Sequence, residues 1–540
     1  MNRVLSLFIF LLCAFQAFSQ ENSWIRINQL GYLPDNKKVA VWVTKGDKGI
    51  KKFSLIDKNN NKAVFTAKTG KQFGQYGPFQ LGYRLDFSKF NKNGEYYLLA
   101  DDGTKSPSFK INADVYKGTA DFTLRYMRQQ RTLFNPFLQD SCHTHDGFTM
   151  YASSVGMPDS TRVEVAGGWH DASDYLQYAT TSANATYHLL AAYRDFPSVF
   201  TDEKQANGLD GKNGIADVLD EAIWGLDWLV KMHPKPNIMF NQIADDRDHT
   251  AMRLPGQDSV YGRGHERPVY FIDGNPQQRG KFMNNTTGTS STAAKFVSAF
   301  GLGHQLLKDQ NADYASILKE KAGTAYQYAY IKPGVTQTVS VKSPYIYAED
   351  NWVDDMELAE ATMFNLNQNQ EHIQKAMDFA RQEKVTPWMV RDTANHYQYY
   401  PFINLGHFEL AKSVDGKVKK EALGYYKEGI EEVNARAKDN MFYRGVPFIW
   451  CSNNLTTSFA IQCLWYREAS GDKQFQELEQ ANIDWLFGVN PWGTSMVYGL
   501  PAHGDTPTEP HSSFTYLHNY PIDGGLVDGP VYSAIYNNLI

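Results

Sequence analysis

Asn213-Gly214-Ile215-Ala216-Asp217-Val218-Leu219-Asp220-Glu221-Ala222-Ile223-Trp224-Gly225-Leu226-Asp227-Trp228-Leu229-Val230-Lys231-Met232-His233 is the stretch on which the fold turns. Apolar side chains at Ile215, Val218, Leu219, Ala222, Ile223, Leu226, Leu229 and Val230 recur at three- and four-residue steps, one stripe along a helix. The same periodicity predicts helices over 292–307, 354–366, 404–412, 455–468 and 475–487. Loops rich in Gly, Pro and aromatic residues separate them, longer than a plain bundle needs. Such loops carry function. Repeated helix–loop units from residue 113 onward fit an all-α toroid of two concentric helical rings.

Upstream the pattern changes. Over residues 24–112, Ile25-Arg26-Ile27, Val39-Ala40-Val41-Trp42-Val43, Phe53-Ser54-Leu55-Ile56 and Tyr96-Tyr97-Leu98-Leu99 read as short strands. Turn signals at Pro34-Asp35-Asn36, Asn59-Asn60-Asn61 and Asn93-Gly94 divide them, as in a small antiparallel sandwich. Ahead of it, Arg3, the apolar run from Val4 to Phe15 and Ala17-Phe18-Ser19 form a secretory signal peptide over residues 1–19, with cleavage expected after Ser19. The protein is therefore expected to be secreted or periplasmic, and Leu12 before Cys13 argues against a lipid anchor. No other stretch reaches the roughly 20 apolar residues of a spanning helix, so no membrane insertion is expected.

The net charge of −6 excludes a nucleic-acid or anionic-membrane partner, either of which needs a basic face. A neutral ligand fits better. Aromatic residues make up 14%, more than enough for a core and for the walls of a sugar-binding cleft. Cys142, Cys451 and Cys463 remain after the leader, too few for a disulfide scaffold, so stability must come from core size.

Chemistry concentrates in Gly167-Gly168-Trp169-His170-Asp171-Ala172-Ser173-Asp174-Tyr175. A helix is expected over 175–193, which would set Asp171 and Asp174 on one face of its start. There the dipole and free N–H groups favour the ionised carboxylate, suiting a base rather than an acid. A plain capping box, Asp171 with Asp174, is the competing reading.

This motif resembles the Gly-Gly-Trp-aromatic/His-Asp-Ala-Gly/Ser-Asp-Tyr/His pattern of glycoside hydrolase family 9, the cellulase family. So, in order, do Asp217–Trp228 of the opening stretch, Asp248-His249 with Arg253-Leu254-Pro255, Arg267-Pro268-Val269-Tyr270, Asn351-Trp352-Val353-Asp354-Asp355-Met356-Glu357 and Gly488-Val489-Asn490-Pro491-Trp492-Gly493-Thr494-Ser495. Asn28-Gln29-Leu30-Gly31-Tyr32 and Ser108-Phe109-Lys110-Ile111 resemble the immunoglobulin-like module preceding many such enzymes. The resemblance implies an immunoglobulin-like β-sandwich over 20–112 followed by an (α/α)6 barrel over 113–540.

It also implies a monomeric inverting hydrolase of β-1,4-glucan, cellulose or a related β-glucan such as xyloglucan, with Asp174 as general base and Asp171 helping to hold the water. Trp169, His170, Trp352, Trp388, His396, Tyr397 and His511 are the implied substrate contacts. The family's acid is a glutamate past Gly524-Gly525-Leu526-Val527-Asp528-Gly529-Pro530, so the chain is expected to continue beyond Ile540; Glu509 is the nearest substitute. Ser513 stands where the family carries an arginine, which puts unbranched cellulose in question. Some members bind zinc near Cys142-His143-Thr144-His145-Asp146, but the upstream cysteine is missing around Arg131-Thr132-Leu133, so Cys142 and His143 are a partial set and zinc is not expected. No cofactor is required for the chemistry; a structural calcium is compatible with the many acids, though no EF-hand loop is present. The alternatives are an exo-acting glucosidase or glucosaminidase of the same family and a non-catalytic glycan-binding protein.

Overall fold

The computed structural model describes residues 22–172, 175–246, 252–257, 267–342, 346–508 and 512–538. The expected leader, Asp174, Asp248, His249, Glu509 and His511 lie outside the described residues. The chain divides into two compact units. The first runs through Val115 and takes in Asp439–Phe442 and Gly488–Gly493; the second holds the rest.

In the first unit the strands are β1 (Ser23–Arg26), β2 (Val39–Thr44), β3 (Lys52–Asp57), β4 (Ala63–Lys68), β5 (Gln72–Phe73), β6 (Leu81–Asp86), β7 (Gly94–Ala100) and β8 (Phe109–Ile111). They form two antiparallel sheets, ordered β1-β2-β6-β5 and β4-β3-β7-β8. Alternation puts Tyr96, Leu98 and Ala100 of β7 inward, where they join Trp42, Leu55, Leu85 and Phe109 in one core. Trp42 pairs with Tyr83 across β2 and β6. The edge strand β4 is largely exposed, and with one face unburied it leaves little apolar alternation to read. Gly31 adopts φ 106°, and a Cβ there would lie 2.4 Å from the Lys110 carbonyl, so only glycine lets Tyr32 N–H reach that oxygen at 2.9 Å.

The second unit is helical: α1 (Thr119–Gln129), α2 (Ala179–Asp195), α3 (Asp217–Met232), α4 (Ser290–Leu307), α5 (Ala312–Ala329), α6 (Val353–Asn367), α7 (Gln370–Ala380), α8 (Pro387–Arg391), α9 (Gly406–Ser413), α10 (Lys417–Ala437), α11 (Ser452–Ser470), α12 (Gln476–Leu486), α13 (Ser513–His518) and α14 (Ser533–Tyr536). Two kinds of helix alternate. In α4, residues 290–303 are all buried, and so are residues 354–362 of α6. Their partners α5 and α7 bury one stripe only, Ala315, Leu318, Ala322 and Ala325 in α5, and Ile373, Ala376, Met377 and Ala380 in α7. A helix buried all round belongs to an inner ring and an amphipathic one to an outer ring. Successive packing of α2 on α3, α4 on α5, α6 on α7, α9 on α10 and α11 on α12, with α2 on α4 and α4 on α6, sets five such pairs in the two-ring arrangement of an (α/α)6 barrel.

One local expectation changes. The helix expected from residue 175 begins at Ala179, because Gln177–Tyr178 forms a strand (β12) paired with Phe240–Ile243 (β13). Leu133–Asn135 (β9) and Asp140–Cys142 (β10) pair antiparallel, and Phe148–Met150 (β11) and Pro268–Phe271 (β14) join β12 and β13 in a small sheet ordered β11-β14-β13-β12. Strands this short leave no alternating run in the sequence. No described helix is long and apolar enough to cross a membrane.

Candidate active site

The loop carrying Asp171 is clamped from behind by α3. Gly168, at φ 76°, lies so close to Trp228 that a Cβ would meet its ring at 2.6 Å. Trp224 Nε1 donates to the Gly168 carbonyl at 2.9 Å, and Trp228 Nε1 to the Val165 carbonyl at 3.0 Å. Trp169 is buried, with Nε1 2.7 Å from Glu221 Oε1; Glu221 also takes Arg131 Nη2 at 2.6 Å. Backbone bonds from Thr132 N–H to Gly168 O and from His170 N–H to Gln130 O fasten the other side. Asp171 follows, its own N–H closing the turn on Leu176 O at 2.7 Å.

Both oxygens of the half-buried Asp171 carboxylate accept hydroxyl donors. Thr181 Oγ1, in the first turn of α2, lies 3.0 Å from Oδ1, and Tyr347 Oη donates to Oδ2. The helix N-cap is Tyr178 rather than Asp171, and the Asp171 carboxylate meets the first turn of α2 through Thr181.

Tyr347 opens an aromatic wall. Its ring stacks on Tyr397 at 4.1 Å, Tyr397 stacks on Tyr400 at 4.9 Å, and Tyr178 meets Tyr347 edge-on at 4.6 Å. His396 lies edge-on to Tyr397 at 4.6 Å, and burial pushes its pKa down to about 4, leaving a neutral imidazole with one donor and one acceptor at neutral pH. Asn184 Nδ2 donates to Tyr400 Oη at 3.1 Å, and burial raises that phenol. Charges on Lys295, Asp171 and Glu349 all reach Tyr400. Lys295 is fully buried, held by Glu349 and, at 2.6 Å, by Asp355; burial opposes its charge, but the two carboxylates raise its pKa on balance.

The expected substrate contacts separate. His396 and Tyr397 join the wall beside Asp171. Trp352 is half-buried and packs edge-on against Phe379 at 5.8 Å. Trp388 has no exposed surface: it lies in the main core with Nε1 2.7 Å from the Phe402 carbonyl. Trp169 and His170 are likewise buried. In this arrangement Trp388, Trp169 and His170 present little surface to a ligand. Ser513 is buried too, its Oγ accepting from Arg253 N–H at 3.3 Å. Tyr347 and Thr181 were not legible beforehand: nothing in the spacing links them to Asp171.

Cys142, His143 and His170 form a buried group whose donor atoms lie within 4.8 Å of one another. Cys142 Sγ is 3.6 Å from His170 Nε2, and His170 Nδ1 is 3.1 Å from the Tyr175 carbonyl. A thiol and two imidazoles are donors that zinc takes, yet the group is one short of a closed four-ligand site. Asp146 does not complete it: Arg267 holds its carboxylate at 3.0 and 2.6 Å, both residues fully buried. Burial pushes the Cys142 thiol up to about 12, so a metal would first have to displace its proton. This is the one group of three or more convergent His, Cys, Asp and Glu donors among the described residues, which gives a structural calcium no acidic cluster there.

Over 317 residues the chain is 27% identical to the cellodextrinase of Butyrivibrio fibrisolvens, covering 57% of this chain and 52% of that protein. Over 540 residues it is 24% identical to a xyloglucan-specific endo-beta-1,4-glucanase of Bacteroides ovatus, covering 94% and 86%. It spans about half the length of two of the curated relatives it matches. The crystal structure of a metagenome-derived glycoside hydrolase family 9 endoglucanase matches with a TM-score of 0.76 at 22% identity, covering 94% of this chain and 91% of that one, a likeness of fold. Residues 20–105 match the cellulase N-terminal ig-like domain. Residues 116–538, which contain the Asp171 loop, the tyrosine wall and both helical rings, match glycosyl hydrolase family 9, and the chain belongs to that family.

Proposed function

We propose that the protein is an exported, monomeric, inverting hydrolase of β-1,4-glucan or a related β-glucan, in which Asp174 deprotonates the attacking water and Asp171 holds it. The observation that carries this reading is the Asp171 carboxylate, fixed by two hydroxyls beside the Tyr347–Tyr397–Tyr400 stack. A carboxylate that accepts hydrogen bonds stays ionised and oriented, as a water-holding group requires. The half-buried Tyr397 and Tyr400 beside it leave aromatic surface for a sugar. Inversion needs a second carboxyl, a proton donor, across the scissile bond, about 6.5–9.5 Å from the base, leaving room for the water.

The relatives include a cellodextrinase and a xyloglucan-specific endoglucanase, so short cello-oligosaccharides and branched xyloglucan are the substrates to try first. The exo-acting reading draws support from Ser513, whose buried hydroxyl serves the backbone of Arg253 and leaves one sugar-reading donor fewer.

The test is sugar release from cello-oligosaccharides, xyloglucan and chitosan oligomers, with product anomers followed by NMR. Asp174→Asn should abolish turnover with folding and glycan binding intact, and Asp171→Asn should reduce it less completely. Retention of the anomeric configuration rules out the mechanism. Glycan binding without turnover by the wild-type protein marks a binding protein instead.

A further inference from the structure

Away from the Asp171 wall, the helical unit carries a cavity of about 280 Å³ between α1 and the loop that leads into α3. Arg125 and Arg128 of α1, Pro136 and Phe137, and Lys204 and Asp210 line it, and none of these belongs to the wall beside Asp171. In a chain of net charge −6, three cations line this opening, each of them paired with a carboxylate.

The cations are not equally committed. Arg128 is buried, with Nη2 3.0 Å from Asp217 Oδ2. Arg125 is 40% exposed and has Asp523 at 3.0 Å. Lys204 is paired with Asp210, which is 91% exposed. Ion pairs open to water contribute little, so an incoming anion can displace Asp210 from Lys204 at small cost. The Arg125 guanidinium lies 5.9 Å from the Phe137 ring centroid, which sets a charged donor beside an aromatic face.

The walls are preformed. Glu203 and Lys204 N–H both donate to Asp217 Oδ1 at 2.9 Å, and Arg131 Nη1 holds the Ala206 carbonyl at 2.9 Å. Gly208, at φ 83°, packs against Pro136 where a Cβ would come within 2.7 Å of the ring. A loop tied this way loses little freedom when a ligand arrives.

We infer that this cavity binds an acidic pyranose, one hexuronate unit, at a glycan site distinct from the Asp171 site. The carboxylate goes to Arg125 and Lys204, where a guanidinium fork and an ammonium match it. The sugar's C–H face goes to the half-buried Phe137. The volume lies at the lower limit of ligand pockets, roughly 300 Å³, which suits one ring and not a chain.

Calorimetric titration of the full chain with sodium glucuronate, glucose and inorganic phosphate tests this. Glucuronate should bind saturably, and glucose and phosphate at least about tenfold more weakly. Lys204→Ala and Phe137→Ala should each weaken glucuronate at least about tenfold, with melting temperature and cello-oligosaccharide turnover unchanged. Phosphate binding as tightly as glucuronate overturns the sugar, and glucose binding as tightly overturns the acid. Undiminished binding by both variants, competition with cello-oligosaccharide, or no saturable binding overturns the site.

Discussion

Removing one hydroxyl isolates the support of Asp171. Tyr347→Phe deletes the donor to Asp171 Oδ2 and keeps the ring that stacks on Tyr397 at 4.1 Å, so the wall should stand. A hydrogen bond to a charged group contributes about 1.5–3 kcal/mol. At about 1.4 kcal/mol per decade this is roughly 10- to 150-fold in rate if the bond holds the carboxylate in its working orientation. Asp171 is only half-buried and keeps Thr181 at 3.0 Å, so water and Thr181 repair part of the loss, and kcat should fall toward the lower end, about 10- to 30-fold. KM on cello-oligosaccharides should barely move, because the stacking face is intact. A double-mutant cycle separates positioning from general damage: on an Asp171→Asn background, Tyr347→Phe should cost almost nothing more. Equal losses on both backgrounds, or an unchanged kcat in the single variant, would refute the role given to this contact.

Other consequences follow from burial. Trp388→Ala should destabilise the fold by about 3–5 kcal/mol in urea unfolding, as large core truncations do, with a cavity and an orphaned Phe402 carbonyl as the causes; a change in KM without loss of stability would return Trp388 to the substrate. Arg267→Met should cost about 3–5 kcal/mol by stranding the Asp146 carboxylate, and Arg267→Met with Asp146→Leu should recover most of it. Asp354 has its pKa raised to about 7, first by burial. A folded value above the unfolded one means the native state holds the extra proton, so this group's contribution to stability is full at low pH and drains away between about pH 4 and 7. Asp354→Asn should therefore gain stability relative to wild type as pH rises through that window and level off above it; a difference that stays constant from pH 4.5 to 8 contradicts the burial argument. Cys142, buried and with its thiol pushed up to about 12, should resist alkylation at pH 8 until the chain is unfolded.

The helical rings were legible because a stripe such as Leu219, Ala222, Leu226 and Leu229 repeats along the chain, and the first unit because strands such as β7 alternate. The periodicity missed α5, whose buried stripe is mostly alanine: small side chains pack a helix closely but barely register as apolar pattern. It also drew the start of α2 too early, because β12 borrows two residues to pair with a strand far along the chain. At the site, the motif gave Asp171 but not its partners. Thr181 lies one loop onward and Tyr347 beyond three further helices, so only the closed ring brings them to one carboxylate.

The aromatic residues show why a list of motif positions does not amount to a cleft. Trp169 and Trp388 carry an indole N–H that must be satisfied once buried, and each finds an internal acceptor, Glu221 or the Phe402 carbonyl. That turns them into braces. Trp169 ties the Asp171 loop to α3 through Glu221, which Arg131 also grips. Tyr397 and Tyr400 are half-buried and stack through their faces, and their exposed edges are what a ligand can still reach. If bracing is its role, Trp169→Phe, which keeps the ring and drops the N–H, should lower kcat and stability together and leave KM alone; a KM effect by itself would mean the indole touches sugar after all.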